Sequence, residues 1–300
     1  MSKVANIGKL KNYTVFITGA SRGIGLSMAK KIAADGANIV VAAKTAEPHP
    51  KLPGTIYTAA EEIEAAGGRA LPMIVDVRDE KSVDQAVAAA VGEFGGIDIL
   101  INNASAISLT DTQSTGMKRY DLMHSINGRG TYMLSHKCVP HLLESKDAGR
   151  DPHILNNSPP LDIRRKWFEN HVAYTIAKMN MSLCAHGMAG EFEGDIAVNC
   201  IWPRTAIWTA AMKMLGGDAA SSGCRLDTIM SDCAYGILTK GTDFNGNFVV
   251  DQEFLEQEYG ITDFSSYRAN PDQPESSLIN DFFLPERFDK YNSDNAFDKL

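Results

Sequence analysis

Short apolar runs alternate with longer stretches of helical periodicity along the first 250 residues of the chain. Seven of these runs are rich in β-branched residues and mostly lack polar alternation, as expected of strands that are buried on both faces. The predicted strands span residues 14–18, 39–43, 70–77, 97–102, 153–157, 196–201 and 247–251. The predicted helices span residues 24–34, 56–66, 81–94, 115–143, 173–192 and 226–238.

This alternation predicts an α/β protein built from βαβ units around a parallel sheet. We expect a single Rossmann-like doubly wound domain with a seven-stranded parallel sheet and helices on both faces. The domain is placed at residues 1–260, and residues 261–300 are expected to form an acidic extension whose last dozen residues are disordered. Residues 44–55, with three prolines, and residues 159–171 are predicted loops.

Charge is distributed unevenly along the 300 residues, whose net charge is −8. Residues 251–300 hold 12 acidic and 4 basic side chains, which account for the whole excess. A neutral body offers no basic surface for a polyanion, so we expect no nucleic-acid partner. No apolar segment reaches the ~18 residues of a membrane span. The first ten residues contain no apolar run of signal-peptide length, and the cytoplasm is the default expectation for localisation.

Cysteine and histidine spacing gives no sign of a disulfide framework or a metal centre. The five cysteines are an odd number with no Cys-x-x-Cys pair, and the seven histidines contain no His-Glu-x-x-His motif. We therefore expect reduced, mostly buried thiols and no metal site built from protein ligands.

A glycine-rich turn follows the first predicted strand directly. Residues 18–25 read T-G-A-S-R-G-I-G and lead into an amphipathic helix. In this context Gly19 permits a tight turn, Gly23 lets the backbone approach a diphosphate, and Gly25 lets the helix pack closely on the sheet. The helix N-terminus would face the anion. A glycine turn that binds nothing is the alternative, but the order of strand, turn and helix favours a dinucleotide site.

The end of the second predicted strand indicates which nucleotide is bound. NAD-binding folds place a carboxylate there for the ribose 2′-hydroxyl, whereas NADP requires a cation. This strand ends at Ala43 and is followed by Lys44, and Arg22 adds a second cation in the glycine turn. The pair favours NADP(H), with NAD(H) remaining possible. Taken singly, each cation could equally be a solvated surface residue.

Tyr174 and Lys178 are four residues apart in a predicted helix and therefore share one of its faces. A phenol has an unperturbed pKa of about 10 and is a poor acid or base at neutral pH. A neighbouring ammonium group stabilises the phenolate and lowers that pKa. A surface pair without chemistry is the alternative reading of this spacing alone.

Four motifs together resemble the short-chain dehydrogenase/reductase family in order and approximate spacing. They are T-G-A-S-R-G-I-G, N-N-A at residues 102–104 after the fourth predicted strand, Ser158 after the fifth, and Y-T-I-A-K at residues 174–178. The resemblance covers residues 10 to 251. It implies a nicotinamide-dependent oxidoreductase in which Tyr174 exchanges a proton with the substrate oxygen and Lys178 holds the nicotinamide ribose. Ser158 would bond the substrate carbonyl, and Asn127 would hold a water that links Lys178 to solvent.

The resemblance also assigns a cofactor path along one edge of the sheet. Asp76 would bind the adenine edge, and Asn103 and Ala104 would line the route from adenine to ribose. The full set of expected cofactor-binding residues is Gly19, Ser21, Arg22, Gly23, Ile24, Gly25, Lys44, Asp76, Val77, Asn103, Ala104, Tyr174, Lys178, Pro203 and Thr205.

The chain departs from the family pattern at three places. Ser158 precedes Tyr174 by 16 residues, three more than is usual, so the loop between them is expected to bulge outward. Ser105 stands where glycine usually follows N-N-A, and Arg204 replaces the glycine that usually follows Pro203.

Apolar residues in two variable segments, 159–171 and 204–227, suggest the substrate. They are Leu161, Ile163, Trp167, Phe168, Ile207, Trp208, Met212, Met214 and Leu215. Such a lining suits a hydrophobic ketone or secondary alcohol, steroid-like or fatty-acyl-like, although it could equally be core or dimer contact. The competing class is a nucleotide-binding sensor or assembly protein with little or no turnover. The resemblance further implies a homodimer or homotetramer and allows a peroxisomal or mitochondrial location.

Overall fold

A seven-stranded parallel sheet forms the centre of the protein, for which a computed structural model describes residues 2–48 and 52–284. The strand order is β3-β2-β1-β4-β5-β6-β7. The strands are β1 (Thr14–Thr18), β2 (Asn38–Ala43), β3 (Arg69–Ile74), β4 (Ile99–Asn102), β5 (His153–Asn157), β6 (Ala197–Trp202) and β7 (Phe248–Val250). All neighbouring pairs run parallel. The predicted α/β class and the seven-stranded parallel sheet are confirmed.

Helices cover both faces of this sheet. They are α1 (Gly23–Ala33), α2 (Ile56–Ala65), α3 (Glu80–Phe94), α4 (Met117–His124), α5 (Thr131–Asp147), α6 (Val172–Glu191), α7 (Ala210–Gly216), α8 (Thr228–Leu238) and α9 (Asp251–Tyr259). Residues of α1, α2, α8 and α9 share one hydrophobic core, and those of α3, α5 and α6 share the other. The sheet is therefore doubly wound, as predicted.

Strand β1 shows why the strands lack polar alternation. Val15 and Ile17 point into the core beneath α1 and α8, whereas Phe16 points into the opposite core. Successive side chains of a strand face opposite sides, so a strand with helices on both sides needs apolar residues at every position.

The predicted helix over residues 115–143 is divided in the structure. A π-helical turn, Ser125–Gly130, separates α4 from α5. Turns of this kind insert an extra residue into a helix and are frequent at functional sites. The helical periodicity of the sequence continues across this turn and therefore did not predict it.

Two helices, α7 and α9, were absent from the predictions. Helix α7 has seven residues and is capped by Thr209, whose side chain accepts a hydrogen bond from the Met212 amide. Helix α9 is acidic, and its buried apolar residues are Phe254 and Leu255. A short helix and a mostly polar one carry too little hydrophobic periodicity to be recognised from sequence.

Packing continues beyond residue 260, where the domain boundary was predicted. Phe264, Tyr267 and Phe283 are buried, and Asn280 forms an antiparallel bridge with Thr205. As a domain division, the boundary at 260 stays a prediction. The last dozen residues, expected to be disordered, lie outside the described residues.

Membrane-spanning helices and metal-binding side-chain clusters are both absent from the described part of the chain. Within residues 2–48 and 52–284, no helix is both long and apolar enough to cross a membrane. The same residues contain no group of three or more histidine, cysteine, aspartate or glutamate side chains that could hold a metal ion.

Candidate active site

The glycine turn between β1 and α1 lies at the carboxyl edge of the sheet, packed against the residues that follow β4. Gly19 has φ +68°, a conformation that favours glycine. A Cβ atom on Gly25 would lie 2.6 Å from Asn103 Nδ2 and 2.6 Å from the Gly19 carbonyl oxygen. The backbone path here therefore depends on glycine, as the sequence analysis predicted for a diphosphate cradle.

The first turn of α1 is open to an anion. Arg22 precedes the helix in an extended conformation, makes no side-chain cap, and no acidic residue lies in the first turn. The initial amide groups of a helix have no intrahelical acceptor, and they favour a negative charge. A dinucleotide diphosphate fits this cradle. Ser21 is buried beside it, and Ile24 packs partly against the core under α1.

Asn103 joins three strand ends beneath the cradle. Its Nδ2 donates to the Thr18 carbonyl (3.0 Å), and its Oδ1 accepts from Asn157 Nδ2 (3.0 Å). The hydroxyl of Thr18 accepts from the backbone amides of Asn103 and Ala104. Asn103 and Ala104 therefore lie at the crevice between β1 and β4, where ligands bind in open α/β sheets. The supporting roles of Thr18 and Asn157 were missed by the sequence analysis.

The predicted cations of the nucleotide site have different partners. Arg22 donates from Nε to the Pro53 carbonyl and from Nη2 to the Gly54 carbonyl, both at 2.8 Å. Lys44 Nζ lies 3.0 Å from Asp76 Oδ2. Arg22 thus secures the loop before α2, and Lys44 pairs with the carboxylate expected at the adenine edge.

Arg78 adds a third cation that the sequence analysis missed. Its Nη2 lies 2.6 Å from Asp76 Oδ2, and its Nε is 2.9 Å from Oδ1. Arg78 and then Lys44 hold the pKa of Asp76 well below its usual range. Val77 lies between Asp76 and Arg78 in the sequence and is buried in the core on the α3 side of the sheet.

Asn127 lies in the π-helical turn and is fully buried. Its Oδ1 accepts from the Ala106 amide (2.8 Å), and its Nδ2 donates to the Ala106 carbonyl (3.0 Å). This side chain therefore fixes the loop that follows β4. The expected water between Asn127 and Lys178 stays a prediction.

Ser158 directly follows β5 and is fully buried. Its hydroxyl donates to Cys200 Sγ on β6 at 3.2 Å. Burial raises the pKa of the Cys200 thiol to about 12, so this sulfur is neutral and a weak acceptor. The serine hydroxyl can exchange such a partner for a better acceptor at little cost. Cys200 was expected only as a buried thiol.

Tyr174 and Lys178 lie on α6, with 6% and 3% of their surfaces exposed. Lys178 Nζ donates to the Asn157 carbonyl (2.7 Å) and lies 5.1 Å from the centroid of the Trp202 ring. Burial lowers the pKa of Lys178 to about 7. Burial also raises the pKa of Tyr174, and the negative charge of Asp281 raises it further. The direction of the Tyr174 pKa shift in this structure is therefore set by burial and is opposite to the lowering expected from Lys178.

Residues that follow β6 complete the edge. Pro203 is buried, and the hydroxyl of Thr205 is buried without a hydrogen-bond partner among the described residues. A polar ligand group would satisfy that hydroxyl, which also fits a nicotinamide cofactor here. Arg204, in place of the usual glycine, pairs with Glu253 of α9, and its amide donates to Asp251 (2.8 Å).

The predicted substrate lining divides into two groups. Leu161, Trp167 and Phe168 pack in or against the core that contains Tyr174. Ile163 and Met214 are exposed. Ile207 is buried in the opposite core, Trp208 and Met212 are partly exposed, and the side chain of Leu215 lies outside the described part of the chain.

The C-terminal part of the chain also contributes to this site, which was not predicted from the sequence. Phe283 is fully buried and its ring centroid lies 6.3 Å from that of Tyr174. Asp281 is partly buried, and burial raises the pKa of its carboxyl group to about 7. Two adjacent phenylalanines in an otherwise polar, acidic segment were the available signal, since such residues tend to be buried.

Comparison with known proteins agrees with this geometry. Residues 13–217 match the family model of short chain dehydrogenases. The chain therefore belongs to the short-chain dehydrogenase family, a family of oxidoreductases that bind NAD(P)(H). The resemblance recognised from the four sequence motifs is confirmed.

Within the family, the chain is 63% identical to hydroxysteroid dehydrogenase-like protein 2 of Xenopus laevis, over 94% of this chain and 66% of that protein. The chain thus spans just under two thirds of the length of this curated relative. Among solved structures, the chain is 49% identical in sequence to a protein of Xanthomonas campestris described as a dehydrogenase. The two structures have a TM-score of 0.86, and the match covers 93% of this chain and 100% of the other. A short chain dehydrogenase from Mycobacterium thermoresistibile is 47% identical, with a TM-score of 0.85 over 94% and 99% of the two chains.

Proposed function

We propose that the protein is an NADP(H)-dependent oxidoreductase that interconverts a hydrophobic ketone and its secondary alcohol. One observation carries the proposal: Ser158, Tyr174 and Lys178 are all buried, and Lys178 bonds to the last residue of β5, directly before Ser158. Asn103 connects that strand end to the glycine cradle. A bound nicotinamide would supply or accept the hydride.

The residues of the chain would move the proton and hold the substrate. Tyr174 would donate a proton to the carbonyl oxygen during reduction and recover it during oxidation. Ser158 would release Cys200 and donate to the same oxygen, which stabilises the negative charge that develops there. Lys178 would hold the ribose, and its ammonium form would offset the burial that raises the pKa of Tyr174.

NADP(H) is favoured over NAD(H) because of the cations near the end of β2. Lys44 is 59% exposed, so its ion pair with Asp76 is worth little and can be exchanged for a 2′-phosphate. Asp76 would keep Arg78 as a partner after that exchange. The chain has no carboxylate at the end of β2 to bind a free 2′-hydroxyl.

The test is oxidation of NADPH in the presence of steroid, fatty-acyl and aromatic carbonyl compounds. We expect at least one compound to be reduced by the native protein, with a loss of at least 100-fold in kcat for Tyr174→Phe. Tyr57→Phe is the matched control, because Tyr57 is an exposed tyrosine on α2. Nucleotide binding without any turnover that depends on Tyr174 would instead select the sensor or assembly function.

A homodimer or homotetramer is part of the proposal. Helices α5 and α6 expose Tyr132, Ile176 and Leu183, which suit contact with a second copy. Sedimentation equilibrium of the native protein and of a Leu183→Glu variant tests this. A native monomer would contradict it.

A further inference from the structure

The segment formed by residues 280–284, here called the closing segment, is attached to the end of β6. The amide of Asp281 donates to the carbonyl of Arg204 (3.1 Å), and Trp202 Nε1 donates to the carbonyl of Phe282 (2.8 Å). The chain therefore crosses the carboxyl edge of the sheet directly beside the proposed catalytic residues.

Phe283 occupies the centre of an aromatic cluster at this edge. Its ring is fully buried. The distances between ring centroids are 6.3 Å to Tyr174, 6.2 Å to His171, 5.9 Å to Trp167 and 5.8 Å to Trp202. The ring of Phe283 is thus surrounded by the side chains that a substrate beside Tyr174 would also touch.

The loop over residues 159–171 meets the closing segment from the other side. Trp167 Nε1 and Arg164 Nε both donate to Asp162, at 2.8 and 2.9 Å, which gives the loop internal order. Across the junction, Arg164 Nη2 donates a long bond of 3.4 Å to the Leu284 carbonyl. Among the described residues, ring contacts and this hydrogen bond join loop 159–171 to the closing segment.

Two features show that this cover is under strain and obstructs access. Phe283 has φ +65°, which a bulky side chain adopts rarely and only where its surroundings impose it. With the segment in place, Ser158 is fully buried and 6% of Tyr174 is exposed. Because the Phe283 ring packs directly against Tyr174, a substrate that approaches Tyr174 from this side meets the cover.

We propose that Phe283 is the specificity-determining residue of the substrate site, and that the closing segment and loop 159–171 form a lid that substrate opens by displacing its ring. The proposal rests on the oxidoreductase function above. Displacement of Phe283 exposes apolar surface to water, which costs free energy. Only an apolar group that takes the place of the Phe283 ring against Trp167 and Trp202 offsets this cost. The preferred substrates are therefore ketones or alcohols carried on a flat ring system, rather than small aliphatic carbonyl compounds.

Phe283→Ala tests this through the ratio of kcat/KM for a fused-ring ketone to that for butan-2-one. We expect the ratio to fall at least tenfold, because the small ketone no longer has to displace a ring. Phe264→Ala is the matched control, since Phe264 is a buried phenylalanine of the same C-terminal region whose ring contacts that of Tyr267. An unchanged ratio in Phe283→Ala would overturn the specificity role.

A second readout needs no turnover. In a Trp208→Phe background the two remaining tryptophans, Trp167 and Trp202, both neighbour Phe283. In this background, we expect Phe283→Ala to raise the acrylamide quenching constant at least twofold. A saturating fused-ring ketone should change the quenching constant of the protein that retains Phe283. If no ketone is reduced but quenching rises, the oxidoreductase function fails and the lid stands. Unchanged quenching in a folded variant overturns the lid, and Phe283→Leu provides the same measurements if the alanine variant does not fold.

Discussion

Lys178 Nζ donates a 2.7 Å hydrogen bond to the backbone carbonyl of Asn157, the last residue of β5. This bond places the amine against the sheet edge and away from water. Burial lowers the pKa of Lys178 to about 7, although the charge of Asp281 opposes the shift. The amine is thus partly neutral at physiological pH, so the binding of a ligand that prefers the ammonium form requires Lys178 to take up a proton.

This titration predicts a pH-dependent affinity for NADPH. The ammonium form is present below pH 7 and is lost as the pH rises, so the dissociation constant should increase above pH 7, by up to about tenfold per unit. Fluorescence titration between pH 6 and pH 9 measures it. Lys178→Met should bind more weakly at pH 6 and lose this dependence. An equal slope in the variant would show that another group is responsible.

Lys44→Gln should change the choice of nucleotide. The substitution removes the cation proposed for the 2′-phosphate and leaves Asp76 paired with Arg78. We expect the dissociation constant for NADPH to rise at least tenfold and that for NADH to change less than twofold. Lys30→Gln is the control, because Lys30 is also an exposed lysine with one carboxylate partner, Glu62. A native preference for NADH would refute the assignment.

Gly25→Ala should abolish tight nucleotide binding. The new methyl group would lie 2.6 Å from Asn103 Nδ2 and from the Gly19 carbonyl, so the cradle and the Asn103 hydrogen bonds have to shift. We expect at least a tenfold weaker affinity and a lower Tm. In Gly92→Ala, on the exposed side of α3, a Cβ meets nothing within 4 Å. That control should bind normally and gain roughly 0.5–1 kcal/mol in unfolding free energy. Normal binding by Gly25→Ala would contradict the cradle.

The sheet and the nucleotide cradle were predictable because their signals are local. Buried parallel strands require consecutive apolar residues, and the glycines of the cradle are adjacent to the strand and helix that they join. The position of Lys178 beside the end of β5, where Ser158 follows, agrees with the rule that ligand sites lie at the carboxyl ends of parallel strands, whereas the joint catalytic role of Tyr174, Lys178 and Ser158 stays a prediction.

The cover over Tyr174 was not predictable in this way. Phe283 is more than 100 residues from Tyr174 in the chain, and no periodicity connects the two. The partners of Lys44 and Ser158 were missed for a related reason. Asp76 and Cys200 meet them only after β3 and β6 take their places in the sheet.

The buried side chain of His153, the first residue of β5, should make the stability of the protein depend on pH. Its Nε2 lies 3.2 Å from the Lys240 carbonyl, and its buried Nδ1 has no partner among the described residues. A proton on Nδ1 would therefore be unsatisfied, and burial lowers the pKa from 6.5 to about 4. Between these values the unfolded chain binds a proton that the folded protein does not. The stabilisation is fully present above pH 6.5 and is lost as the pH falls to 4.

The size of this effect is measurable against a variant that does not titrate. A pKa difference of this size corresponds to about 3 kcal/mol at pH 4. His153→Gln keeps an amide that can donate to the Lys240 carbonyl but takes up no proton. Urea unfolding at pH 7 and pH 4.5 measures the free energy of unfolding of both proteins. At the lower pH, that of the variant should rise by about 2–3 kcal/mol relative to that of the native protein, from the same conversion of about 1.4 kcal/mol per pKa unit. Other groups titrate in both proteins, including Asp251, whose pKa burial raises to about 6, and their effects cancel in the difference. Parallel losses of stability in the two proteins would mean that His153 is already charged, or already paired, at pH 4.5.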